Sequence, residues 1–194
     1  MSTAVARLAR MAEKPSNLIV LAALGVASGM VSAAVGIERP LDGLQPLATL
    51  FGLHASLLPV GCIFAVAMAI GLWQAVHRAS AVIAALVATL YGWSGAIHIA
   101  IRLQRNVGDD AHLVAAGLVA GAFGAGLVLA AFAVFVPAMR RTGAWMCVCG
   151  VGAAAGLVFY FGERGFIDKR ALFLIWQTAV ATTLGLLLDR DAEK

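Results

Sequence analysis

"AHLVAAGLVAGAFGAGLVLAAFAVFVPAM", Ala111 to Met139, contains no Asp, Glu, Lys or Arg. A helix rises about 1.5 Å per residue, so about 20 apolar residues cross a hydrocarbon core about 30 Å thick. This run is long enough with residues to spare. A β-barrel strand would alternate apolar and polar positions over about ten residues, and this stretch does not alternate. A helix also satisfies its own backbone where no water is at hand. Outward from this run, the stretches 17–37, 45–77, 79–101, 142–162 and 171–188 are likewise free of charge. The chain reads as an all-α polytopic integral membrane protein. The expected architecture is one transmembrane domain, 1–194, with spans at about 18–37, 54–74, 79–101, 112–137, 143–162 and 171–188.

Composition agrees. The chain is 62% hydrophobic and 12% charged, against about 25% charged in soluble domains. Its mean hydropathy is +0.93. The net charge of +4 comes from basic residues scattered near span ends, where they anchor helices or meet anionic lipid. No basic run with interleaved aromatics points to nucleic acid. Cys62, Cys147 and Cys149 all fall in apolar runs, so they do not describe a disulfide framework, and Cys147 and Cys149 read as small core residues.

The first span follows a basic leader, "MSTAVARLARMAEKPSN", as a signal peptide would. Its apolar run has the length of a full span and is read as a transmembrane helix. With the loops alternating sides, eight basic residues share the side of the N-terminus and six lie opposite. The positive-inside rule then puts both termini in the cytoplasm. High Ala and Gly content and short loops suggest a bacterial inner membrane. The second uncharged run is too long for one perpendicular span. An interfacial helix over 41–53 before a span kinked near Pro59 is expected.

Gly117 and Gly121, and Gly152 and Gly156, recur four apart. Such spacing lets helix backbones approach closely. Packing of the fourth span on the fifth is the first expectation. A homo-oligomer or a membrane-complex partner docking through the same glycines is the second.

The candidate site lies on the third span. Tyr91, Ser94, His98, Arg102 and Arg105 fall within an arc of about 80° at 100° per residue. Polar groups in a span ordinarily face the bundle interior or a water-filled cavity, so an inward polar stripe is expected. Gln177, an amide in the last span, needs a partner and is expected to find Tyr91 or Ser94. His54, His98 and His112 belong to one membrane face and are the candidate metal ligands, since imidazole suits Zn, Cu and Fe. No HxxxH, HExxH or CxxC pattern supports that reading, and no cofactor is assigned. Asp109 and Asp110 suit the N-terminus of the fourth helix.

"GWSG", Gly92 to Gly95, resembles the GxSG of rhomboid intramembrane proteases, and "AHLVAAGLVAG" is similar to their later histidine helix. The resemblance implies a dyad of Ser94 and His112. The two are too close in sequence to admit the helix that rhomboids place between them, and membership is rejected. Three functional classes remain. The first is a transport or channel protein with a polar pocket along the third helix. The second is a non-catalytic subunit of a larger membrane complex. The third is an outward metal, haem or redox site built on the histidines.

Overall fold

The computed structural model describes residues 16–35, 58–106 and 109–192. The expected interfacial helix over 41–53, and His54, lie outside the described residues. So does the side chain of Arg105. All the described regular structure is helical: α1 (Asn17–Val35), α2 (Leu58–Val76), α3 (Ala79–Asn106), α4 (Asp110–Phe135), α5 (Thr142–Gly156), α6 (Val158–Glu163) and α7 (Ala171–Ala192), with a 3-10 turn at Pro137–Arg140. Six helical stretches are long and apolar enough to cross a bilayer, α5 and α6 together making the fifth.

Two helices outrun their expected bounds. α3 continues past 101 through Arg102, Leu103 and Gln104, all good helix formers. α7 continues past 188 because Asp189 is held. Its carboxylate accepts from Asn17 N and Asn17 Nδ2, each at 2.9 Å, and from Leu18 N at 3.0 Å. With Ser16 Oγ accepting from Ile19 N at 3.2 Å, the otherwise unpaired amides at the start of α1 are occupied. The start of α1 and the end of α7 therefore lie at the same end of the bundle.

Pro59 sits in the first described turn of α2, and the residues before Leu58, on which a kink there would turn, lie outside the described residues. α5 and α6 meet at Leu157, which keeps right-handed helical dihedrals and whose N turns back to Ala154 O at 3.2 Å. Such an i→i−3 bond tightens the helix locally.

α4 ends at Pro137 for a legible reason. Pro137 cannot donate to Ala133 O. Arg140 replaces the missing bonds, its Nε donating to Ala133 O at 2.7 Å and its Nη2 to Val134 O at 2.9 Å. Asp109 caps the start of α4 and accepts from Ala111 N, as the sequence led us to expect.

The helices form a ring in which α1 touches α2 and α7, α3 lies between α2 and α4, and α5 lies between α4 and α7. Leu21, Phe64, Met68, Ala85, Leu129, Phe132, Val148 and Leu184 fill its middle with large, fully buried side chains and small ones drawn from every wall. No central pore passes through the described core.

Two seams close the ring through small residues. On α4 and α5, a Cβ on Gly117 would collide with Gly156 O, and one on Gly121 with Gly152 O. Trp176 of α7 seals this seam, its indole N–H lying 3.1 Å from Gly152 O and 3.3 Å from Gly121 O. On α1 and α7, a Cβ on Gly25 would lie 2.8 Å from Ala181 Cβ, and one on Gly29 would lie 2.7 Å from Leu174 Cα. Gly185 meets Leu18 Cα at 2.7 Å in the same way. Only hydrogen at these positions lets the backbones approach so closely.

Candidate functional site

The expected inward stripe on α3 is not inward as a whole. Ser94 is buried at 5% exposure, whereas Tyr91, His98 and Arg102 are exposed on the outer surface of the bundle. The physical reason is that polar groups on this face have local outlets. His98 Nδ1 lies 2.8 Å from Ser94 O, one turn earlier on the same helix. Tyr91 presents an apolar body with a polar tip, and arginine carries its charge on a long stem, so both can reach a polar surface without turning inward.

Gln177 is fully buried, as an amide in search of a partner should be. Its partner is neither Tyr91 nor Ser94. Gln177 Nε2 donates to Ser32 Oγ of α1 at 3.1 Å, across the α1/α7 seam. The sequence carried a signal for this: Ser28 and Ser32 repeat at the same spacing as Gly25 and Gly29.

Of the three candidate histidines, His98 and His112 fall among the described residues and His54 does not. His112 stands at the exposed start of α4, with its Nδ1 3.6 Å from Asp109 Oδ2. Among the described residues no three His, Cys, Asp or Glu side chains gather closely enough to hold a metal ion. The cysteines also depart from expectation. Cys147 is exposed and Cys149 half-buried, because α5 turns Met146 and its neighbours away from the ring; Cys62 of α2 is exposed as well. Gly117, Gly121, Gly152 and Gly156 are buried within the chain, so the contact with another chain envisaged for them is taken by their own seam.

A different face of α3 borders a half-open cavity of about 180 Å³ lined by α3, α4, α5, α6 and α7. Ile97, Ala100 and Ile101 form one wall, and the glycine seam of α4 and α5 forms another. Trp93, Phe173 and Trp176 close its inner part, with Trp93 ring centres 5.7 Å from Phe173 and 6.3 Å from Trp176. Trp93 can lie there because Gly61 of α2 leaves room for it: a Cβ at Gly61 would stand 2.7 Å from Trp93 Cδ1.

The other end is polar. Glu163, at the end of α6, accepts from Lys169 Nζ at 3.0 Å and from Gln104 Nε2 of α3 at 3.2 Å. One carboxylate oxygen takes each donor, so this ion pair ties three parts of the chain together. Beside it, Arg164 pairs with Asp110 of α4. From Trp93 to Gln104 the helix rises about 16 Å. The cavity thus runs from one end of the bundle to roughly half the thickness of a hydrocarbon core of about 30 Å.

No protein-family model, curated protein or solved structure matches this chain. What the protein does has to be argued from this geometry.

Proposed function

We propose that the chain is an integral membrane protein of transport type whose solute occupies the cavity beside α3. The supporting observation is the cavity itself: apolar and aromatic within, and bounded at one end by Gln104, Glu163 and Lys169. Concave, mostly apolar pockets with a few placed polar groups are the usual form of small-molecule sites. The filled middle of the ring argues for a solute carried along the side of the bundle rather than a central channel. The tightened turn at Leu157 lies against the cavity wall, where Gly156, Val158 and Phe159 contribute to its lining, and it is the proposed hinge for a change of access.

Six apolar helices support insertion into a bilayer. The charge distribution supports cytoplasmic termini and the composition a bacterial inner membrane. Resistance of the protein to extraction from membranes by alkaline carbonate checks insertion. A C-terminal green fluorescent fusion that stays dark would contradict the orientation.

The transport reading is tested with Ala100→Cys in a background where Cys62, Cys147 and Cys149 are replaced by Ala. In proteoliposomes, a membrane-impermeant maleimide is expected to label Ala100→Cys from the side of Glu163 and Lys169, and more slowly from the opposite side as access alternates. Labelling only by a lipid-soluble reagent would sink it.

A further inference from the structure

We infer that the cavity takes a neutral, ring-sized apolar molecule bearing a hydrogen-bond acceptor, an aryl ketone for example, with the acceptor directed to Lys169. This rests on reading the cavity as a solute site, and it adds the chemistry of the solute.

Size comes first. A dry apolar cavity of about 150 Å³ admits benzene, and this one is about 180 Å³. Phe173, about one helical turn beyond Lys169, gives the cavity wall a phenyl face near its polar end, which favours stacked or edge-on contact with a planar ring.

The polar end sets the rest. Both oxygens of Glu163 are engaged, one by Lys169 and one by Gln104, and its side chain is only 20% exposed. The side chain of Lys169 is 56% exposed, and its ammonium offers three donors and no acceptor. One of these serves Glu163. Most of the remaining donor capacity at the cavity end belongs to Lys169, two N–H groups against one on the Gln104 amide, and it calls for an acceptor. The charge on that acceptor is constrained by Glu163. An anionic head reaching Lys169 would stand close to a fixed carboxylate, and like charges at such distances repel. A cationic head would have to displace Lys169 from a carboxylate that is already satisfied. A neutral acceptor meets neither obstacle.

The test uses the full-length protein in lipid nanodiscs, with empty nanodiscs correcting for partition into lipid. Binding of fluorobenzene, 4-fluoroacetophenone and 4-fluorobenzoate is measured by 19F NMR. The ketone is expected to bind about fivefold tighter than fluorobenzene, the worth of one net hydrogen bond, and tighter than the benzoate. Lys169→Met should erase the ketone's advantage while leaving fluorobenzene binding intact. Ala100→Phe, which fills the cavity, should abolish binding of all three.

A benzoate that binds tightest would overturn the inference. So would a ketone no better than fluorobenzene in the wild-type protein, a comparison that needs no variant. In both cases the cavity remains a solute site. If no probe binds beyond the empty nanodiscs, or if Ala100→Phe binds all three as the wild type does, the solute-site reading itself falls and this inference with it.

Discussion

Two polar regions of the bundle began with the same credentials and ended on opposite sides of its walls. Tyr91, His98 and Arg102 line one face of α3 and are exposed. Gln177 of α7 and Ser32 of α1 are each at 0% exposure and bond to each other across a seam. Spacing alone does not separate them, since both place polar groups on one side of an apolar helix. The difference lies in where each group can be satisfied. His98 uses Ser94 O of its own helix, and tyrosine and arginine reach outward on long side chains. A primary amide near the middle of a helix has no such outlet and must find a partner on a neighbour.

That contrast predicts a graded set of effects on unfolding in detergent, the largest within the α1/α7 seam. Gly25→Val should be the most damaging, by about 3 kcal/mol. Its added carbons meet Gln177 O and Thr178 Cα, both at 3.0 Å from an ideal Cβ, and that backbone cannot give way. Asp189→Ala comes next, removing the acceptor of three hydrogen bonds at the start of α1; a loss of about 2 kcal/mol is expected. An effect of Asp189→Ala on α1 docking smaller than that of Gln177→Leu would reverse the ranking drawn here.

Gln177→Leu should lower stability by about 1 kcal/mol. The double variant with Ser32→Ala should be no worse than Gln177→Leu alone, because no polar group is then left without its partner. Strict additivity of the two substitutions would mean that the bond contributes nothing. Smallest of all, Tyr91→Phe should stay within about 0.5 kcal/mol of the wild type, as surface changes ordinarily do. A loss approaching that of Gln177→Leu would place Tyr91 in a buried network after all.

The six apolar helices were legible in the sequence because charge-free runs report directly on length and solvent. The α4/α5 seam was legible for a related reason: Gly117, Gly121, Gly152 and Gly156 carry the spacing of close helix contact within neighbouring segments. Gly25, Gly29, Ser28 and Ser32 carry the same spacing on α1. Their partner, though, is the last helix of the chain, and a local pattern does not say which distant segment will fill it. The direction of the α3 stripe was not legible, because polarity alone does not report burial: His98 has Ser94 O on its own helix, and tyrosine and arginine reach outward on long side chains.

The cavity was hidden for a different reason. Ile97, Ala100 and Ile101 look like any apolar helix face, and an empty space depends on what neighbouring helices fail to fill. Its polar end draws Gln104, Glu163 and Lys169 from segments that meet only in the fold, Gln104 and Glu163 being 59 residues apart. In the sequence these three sit among many other charged and polar residues at helix ends. Nothing there marks them as a group.

On the proposed function, α3 serves the solute through its Ile97, Ala100 and Gln104 face and not through the stripe bearing Ser94 and His98. The most direct test is fluorobenzene binding to the nanodisc-embedded protein, compared by 19F NMR between Ala100→Phe and His98→Ala. Binding abolished by Ala100→Phe and unchanged by His98→Ala is the expected result. Binding lost in His98→Ala and retained in Ala100→Phe would contradict the account and return the site to the polar stripe.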